Sequence, residues 1–201
     1  MVSVSGMDCM MNSQLLPNPA ALDSEQRLLL SGVSWEQYEA LLQTFGNGFP
    51  TLRLSYLDGQ LEIMTNSPAH EELKKIIAML LEAYLQESNT RFHAGGSTTF
   101  RQAAKQRGLE PDECYCLGTR KELPDLAIEI VITRGLVDKL EIYRGLGIAE
   151  VWIWQDEMFT IYCLSSGKYV KSPSSQLLPN LHIALLTAYV KPQQQFDAVM
   201  A

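Results

Sequence analysis

Residues 111–143 read PDECYCLGTRKELPDLAIEIVITRGLVDKLEIY, and the rest of the chain is organised around them. Two runs of apolar and β-branched residues flank a polar segment at 118–122, a pattern that predicts a β-hairpin. The apolar spacing from Leu136 to Leu146 then predicts a helix that ends at Gly147. The stretch therefore predicts a hairpin that runs directly into a helix.

Other elements have clear boundary signals. Ser34 and Gln37 fit a capping box, Asp58-Gly59 is a two-residue hairpin turn, and Ser67-Pro68 is typical of a helix start. The predicted elements are helices over 34–45, 67–87 and 181–190, strands over 52–57, 60–65, 97–100, 150–154, 158–164 and 169–170, and a polar loop over 105–110. This order predicts an α+β fold with a mixed central β-sheet flanked by helices.

The chain has 201 residues, of which 46% are hydrophobic and 19% charged, as is ordinary for a globular protein. We expect a single domain over 23–190, with tails at 1–22 and 191–201 that lack periodic patterns. The sequence contains no signal-peptide pattern and no apolar run of ~20 residues. We therefore expect a cytoplasmic protein without a membrane partner.

The charge is unevenly distributed. A net charge of −7 argues against a general nucleic-acid coating protein, which would be basic. Residues 91–144, however, hold nine of the 16 basic side chains and eight of the 23 acids. This segment is therefore slightly positive while the remainder is strongly negative, and a bound divalent cation would make it more positive still.

Asp112 and Glu129 are the candidate site residues of the hairpin. A turn centred between Arg120 and Lys121 would place them directly opposite each other, with Cβ atoms ~5 Å apart. Two carboxylates at that separation repel each other unless a proton or cation lies between them, and Mg²⁺ prefers oxygen ligands. Asp125 shares a strand face with Glu129 but lies ~13 Å away along the strand, too far to share an ion.

The same pair has another interpretation, in which both acids lie at a sheet edge in water. Glu129 fits this alternative less well, because it interrupts an apolar run that predicts a buried strand. A buried carboxylate needs a partner. On spacing alone, the metal site and the solvated edge are both open.

The chain resembles the PD-(D/E)XK nucleases and, more specifically, the Uma-two family of restriction-type endonucleases. The similar segments span about residues 34–165, and their order and spacing carry the resemblance more than any one of them. They are WEQY at 35–38, DGQLEIM at 58–64, SP at 67–68, HE at 70–71, EPDECY at 110–115, LPDLAIEI at 123–130, Lys139 with Tyr143, and GIAEVW at 147–152.

The resemblance implies a restriction-endonuclease-like core and a Mg²⁺- or Mn²⁺-dependent endonuclease that hydrolyses DNA phosphodiester bonds. The catalytic residues that it implies are Asp112, Glu129, Lys139 and Glu71. The implied metal ligands are Asp112 and Glu129, and we expect the main-chain carbonyl of Ile130 to be a third ligand. His70 is a supporting candidate that could hold an outer-shell water or a second ion, or act as a base.

One position departs from the general pattern, in which a lysine follows the glutamate by two residues. Here that position is Val131, so the resemblance assigns the lysine to Lys139 on the following helix. Alternatively, Lys139 is a solvated lysine that pairs with Asp138 or Glu141.

Two other functions are compatible with the sequence. One is an inactive nuclease-fold module that binds nucleic acid or protein, and the other is a metal-dependent hydrolase of smaller phosphate esters. Nucleases that cut both strands often form dimers, so a homodimer is a possible partner arrangement. Trp152, Trp154 and Phe159 are candidates for its interface and are equally good core residues.

Overall fold

The computed structural model describes residues 24–45 and 48–192. The tail predicted at 1–22, most of the tail predicted at 191–201, and the predicted helix stop at Gly46 and Asn47 lie outside these residues. None of the helices in the described part of the chain is long and apolar enough to cross a lipid bilayer.

The described residues form eleven β-strands, four α-helices and a short 3₁₀ turn at Ala103–Lys105. The strands are β1 (Gln26–Ser31), β2 (Leu52–Leu57), β3 (Gln60–Thr65), β4 (Phe92–Ala94), β5 (Phe100–Gln102), β6 (Arg107–Leu109), β7 (Glu113–Leu117), β8 (Leu126–Ile130), β9 (Glu150–Gln155), β10 (Met158–Ser165) and β11 (Lys168–Ser172). The helices are α1 (Trp35–Phe45), α2 (Pro68–Glu87), α3 (Lys139–Leu146) and α4 (Ile183–Tyr189).

The strands form two sheets. One is antiparallel in the order β1-β3-β2-β6-β5, and the other is mixed in the order β11-β10-β9-β8-β7-β4. In the mixed sheet β8 and β9 pair in parallel, and α3 forms the crossover that such a pairing requires. The α+β class is confirmed, and the predicted mixed sheet is the six-stranded one. The sequence did not predict the second, antiparallel sheet.

The local signals at turns and helix starts are confirmed. The amide of Ser34 donates to Gln37 Oε1 at 2.8 Å, and the amide of Gln37 donates to Ser34 Oγ at 3.3 Å. Asp58 and Gly59 both adopt positive φ, at 46° and 85°, as a two-residue hairpin turn requires. Ser67 caps α2 by accepting from the amide of His70.

The structure differs from the predictions at one helix start, one predicted loop and one missed strand, and at each a tertiary contact outweighs the local pattern. The third helix begins at Lys139, because Glu62 Oε2 accepts from the amides of Leu136 and Val137 and holds them outside the helix. Leu136, where the apolar spacing of the predicted helix begins, is 49% exposed. The predicted polar loop at 105–110 contains β6, which extends the antiparallel sheet beside β2, and β1 was not predicted at all.

Both faces of the mixed sheet are covered. Helices α2 and α4 pack on one face around Ile128 and Trp152, and α3 with β6 covers the opposite face around Ala127 and Val151. All five residues of β8 are buried as a result. The hairpin face that carries the acids is therefore packed against α3 and is not open along its length.

The three aromatic residues considered for a dimer interface lie in the core of this sheet. Trp152 is 0% exposed and Trp154 4% exposed. Phe159 packs edge-on against Trp154 with ring centroids 4.8 Å apart. Trp152 and Trp154 are therefore core residues, and the partly buried Phe159 packs against the same core.

Candidate active site

The β7–β8 hairpin brings Asp112 and Glu129 together. Glu113 pairs with Ile128 and Cys114 with Ala127, so one further step along the antiparallel ladder places Asp112 opposite Glu129. Asp112 Oδ2 also accepts from the amide of Ile130 at 2.7 Å. Each acid is 1% exposed, which excludes the solvated sheet edge as an explanation of the pair.

Helix α3 supplies two donors to Glu129. Lys139, its first residue, places Nζ 2.6 Å from Glu129 Oε2, and the Tyr143 hydroxyl donates to Glu129 Oε1. The two donors are four residues apart and therefore lie on the same helix face. Lys139 reaches the strand and is not a solvated partner of its neighbours, because Asp138 caps the helix and Glu141 pairs with Arg144.

The charges of Asp112, Glu129 and Lys139 shift one another's protonation. Burial raises the pKa of the Glu129 carboxyl, and the negative charge of Asp112 adds to the increase while Lys139 opposes it. Burial lowers the pKa of the Lys139 ammonium, but attraction to Glu129 and Asp112 outweighs burial and raises it above the usual value. Lys139 is therefore charged at neutral pH.

His70 lies in the first turn of α2, between two carboxylates. Its Nε2 is 2.8 Å from Asp112 Oδ1 and its Nδ1 is 2.8 Å from Glu25 Oε1. Ionised carboxylates only accept hydrogen bonds, so both ring nitrogens donate and the ring is an imidazolium. Burial lowers the pKa of His70, but the hydrogen bonds and charges of Asp112 and Glu25 outweigh burial and raise it to about 9.

Glu25, immediately before β1, is the residue of this group that the sequence did not predict. Its Oε2 accepts from Arg27 Nη2 at 3.0 Å, from the amide of Thr133 at 3.2 Å and from the Thr133 hydroxyl. Burial raises the pKa of Glu25, but the hydrogen bonds from His70, Thr133 and Arg27 outweigh it and lower the pKa to about 2. No local signal in the sequence marks Glu25, because its partners His70 and Thr133 are distant along the chain.

Glu71 lies apart from this group. Its Oε1 accepts from Asn66 Nδ2 at 2.6 Å, and its Oε2 lies 2.8 Å from Lys74 Nζ. Its side chain is 39% exposed, and no hydrogen bond or ion pair in the described part of the chain joins it to Asp112 or Glu129. The structure thus brings Asp112, Glu129, Lys139 and His70 together and leaves Glu71 on the adjoining surface of α2.

A cleft with a volume of about 480 Å³ opens beside Glu129 and Lys139 and is also lined by Ile130. Three cations line it: Arg27, Arg134 and Lys139. Arg27 pairs with Glu25 and Glu62, and Lys139 pairs with Glu129. The exposed Arg134 alone makes no hydrogen bond or ion pair with a described residue.

The oxygen atoms that line or adjoin the cleft suit a hard divalent cation. Asp112, Glu129 and the Ile130 carbonyl could hold Mg²⁺, which is commonly bound by one or two carboxylates and several waters. Each oxygen of the two carboxylates already accepts one protein hydrogen bond, but an ionised oxygen has a further lone pair. Within residues 24–45 and 48–192, no three His, Cys, Asp or Glu side chains form a metal site on their own.

Comparison with known proteins adds one finding. The family model Uma2, described as "Putative restriction endonuclease", matches residues 35–190, which is more than half of the chain. A search of curated proteins gives no match.

Proposed function

We propose that this chain, which belongs to the Uma2 family, is a metal-dependent endonuclease that hydrolyses phosphodiester bonds of DNA. The observation that carries the proposal is the contact of 2.6 Å between Lys139 Nζ and Glu129 Oε2, next to Asp112, which directly precedes β7. Val131 occupies the strand position where the nuclease pattern has its lysine, and Lys139 supplies the ammonium group from α3 instead.

In this proposal Asp112, Glu129 and the Ile130 carbonyl hold Mg²⁺ or Mn²⁺. The metal, when bound, polarises the scissile phosphate and lowers the pKa of a coordinated water. Lys139 lines the cleft as a charged donor and stabilises the negative charge that develops on the phosphate. Tyr143 and His70 hold the carboxylates of Glu129 and Asp112 in place, as residues behind metal ligands commonly do.

Arg134 is the group of the cleft that is available to the nucleic-acid backbone. Its guanidinium can donate two parallel hydrogen bonds to a phosphate, and no described acid competes for it. Each chain contributes one such site, so cutting both strands of a duplex calls for two copies. We therefore propose a homodimer in the complex with DNA, which light scattering with and without a duplex would measure.

A second candidate function is a nuclease-fold module that binds nucleic acid or protein without cleaving it. Two observations favour it: Val131 at the usual lysine position, and a protein donor already on each carboxylate oxygen of Asp112 and Glu129.

The test compares cleavage of supercoiled plasmid and of single-stranded DNA in Mg²⁺ or Mn²⁺. We expect the wild type to cleave and Asp112→Asn and Glu129→Gln to lose at least ~100-fold in rate, as removal of groups that stabilise the transition state commonly does. Asp125→Asn is the matched control, because Asp125 belongs to the same hairpin and, among the described residues, its carboxylate accepts only from Lys121 and the Leu117 amide.

Two outcomes would contradict the proposal. Cleavage that both site substitutions leave unchanged would reject the site. Absence of cleavage together with absence of metal binding in calorimetry would favour the binding module. Glu71→Gln, assayed in parallel, tests the role that the family resemblance implies for that acid.

A further inference from the structure

We propose that Glu25 is a positioning residue that acts on Asp112 through His70. Glu25 precedes residues 35–190, which the family model matches, so nothing in the family assignment covers it. The consequence for catalysis rests on the proposed function, whereas the arrangement of the three side chains can be tested without it.

The first step of the argument is the burial of the chain Glu25–His70–Asp112. The three side chains are at most 1% exposed, so water cannot replace a lost hydrogen bond. A buried carboxylate is stable only if its oxygens are satisfied. Glu25 meets this condition through His70 on Oε1 and through Arg27 and Thr133 on Oε2.

The second step is the orientation of the His70 ring. Nδ1 faces the Glu25 carboxylate and must therefore carry a proton. Nε2 faces the Asp112 carboxylate and must carry a proton for the same reason. A neutral amide at position 25 removes this constraint, because an amide can donate to Nδ1 or accept from it. Glu25 therefore holds the imidazole from its far side, with Nδ1 against Glu25 Oε1 and Nε2 facing Asp112 Oδ1, each at 2.8 Å.

The third step is the orientation of the Asp112 carboxylate. Oδ1 accepts from His70 at 2.8 Å, and Oδ2 accepts from the Ile130 amide at 2.7 Å. Two fixed oxygens define the plane of the carboxylate, whereas one hydrogen bond leaves rotation about χ2, which is a soft torsion. Loss of the His70 donor would thus release a proposed metal ligand from the orientation that these two hydrogen bonds give it.

Glu25 also makes a second contact, with Thr133, and the experiment must separate its effect from that of the contact with His70. Its Oε2 binds Thr133, in the loop that leads to the cleft residue Arg134. Thr133→Val is the matched control, because it removes the hydroxyl donor to Oε2 and leaves the contact between Oε1 and His70 intact.

The first readout is the nuclear magnetic resonance of the imidazole rings in the metal-free, full-length chain. The sequence contains three histidines, of which His93 and His182 are exposed. We expect wild-type His70 to show slowly exchanging protons on both ring nitrogens. The Nδ1 proton should lose this protection in Glu25→Gln and retain it in Thr133→Val. A wild-type His70 with one ring proton, or a signal unchanged by Glu25→Gln, would overturn the inference.

The second readout is the division of the kinetic effect between kcat and KM. Changing a residue behind a metal ligand commonly costs about 10–100-fold in activity or metal affinity. We expect Glu25→Gln to lower kcat by that factor and to change KM by less than about 3-fold, since Glu25 does not line the cleft. In the background of His70→Gln, which retains a donor towards Asp112, Glu25→Gln should cost nothing further.

The kinetic and spectroscopic outcomes separate the two proposals. If the wild type does not cleave DNA, the proposed function fails while the ring protons of His70 still decide the role of Glu25. Additive losses in the double variant, or an equal loss of kcat in Thr133→Val, would show that Glu25 acts through the loop and would overturn the inference. If Glu25→Gln does not fold, the number of slowly exchanging ring protons on wild-type His70 alone decides whether Glu25 acts on Asp112 through His70.

Discussion

The ammonium nitrogen of Lys139, at the start of α3, lies 2.6 Å from Oε2 of Glu129 in the middle of the mixed sheet. Neither group has another described partner of opposite charge within ion-pair distance. Each is therefore the direct charge partner of the other inside the protein.

Lys139→Met should abolish activity and weaken the fold. Cleavage should fall by at least ~100-fold, because a group that stabilises charge on the phosphate is lost. The free energy of unfolding at neutral pH should fall by about 1–3 kcal/mol, since buried Glu129 loses its charged donor. Urea denaturation measures the second effect. Lys121→Met, which breaks the exposed pair with Asp125, should cost less than about 1 kcal/mol, and an equal cost would contradict the prediction.

Glu113→Gln should stabilise the protein above pH 7. Burial raises the pKa of Glu113 to about 7, with repulsion from Glu82 and Asp112 adding to it and Lys74 opposing it. The folded chain therefore keeps a proton that the unfolded chain releases from about pH 4.5, so stability falls between pH 4.5 and 7. At pH 8 the variant should gain roughly 1–3 kcal/mol in urea denaturation, and at pH 4 it should gain little. The exposed Glu122→Gln is the control, and a gain equal to that of Glu113→Gln would contradict the assignment.

His70 should make stability fall as the pH rises from 6.5 to 9. Its pKa is raised to about 9 from the usual 6.5, so its contribution is complete below pH 6.5 and disappears as the pH passes 9. The loss should be about 2–3 kcal/mol across this window, measured by urea denaturation of the metal-free protein. His70→Gln should remove the slope, whereas His93→Gln should retain it. A slope that survives in His70→Gln would show that another group titrates there.

Arg134→Ala should weaken DNA binding in a way that depends on salt. Loss of one phosphate contact reduces the slope of log affinity against log salt concentration by about 0.7–0.9, the lower value applying to single strands. Fluorescence anisotropy with the Asp112→Asn protein as the parent measures binding without cleavage. Arg120→Ala is the control, because Arg120 lies at the far end of the hairpin and does not line the cleft. Equal slopes in the parent and Arg134→Ala would remove Arg134 from the interface.

Much of the site is predictable from the sequence where short-range rules decide the structure. The polar turn and the alternation of residues along β7 and β8 determine the register, and that register places Asp112 opposite Glu129. The position of Lys139 is predictable to the same extent. A helix that directly follows β8 must pack back over the sheet, and this brings its first residues close to Glu129. The helix start is less predictable, since Glu62 takes the amides of Leu136 and Val137 from a distant strand.

Glu25 shows where sequence reasoning stops. Its partners His70 and Thr133 are 45 and 108 residues away along the chain. The segment around it, QRLLLS, has neither the alternation of a half-buried strand nor a turn signal. Only the pairing of β1 with β3 brings Glu25 to His70, and no local pattern encodes that pairing.

The contacts of the site differ in how far apart their partners lie in the sequence. Lys139 and Tyr143 are 10 and 14 residues from Glu129, whereas His70 is 42 residues from Asp112 and Glu25 is 45 residues from His70. Closing a longer loop costs more conformational entropy, and contacts distant in sequence form more slowly. During refolding the acids and the lysine therefore meet early, and the imidazole that orients Asp112 arrives late. During refolding, full metal affinity should accordingly recover later than the circular dichroism signal of the helices. Metal binding at this site would then report that folding is complete.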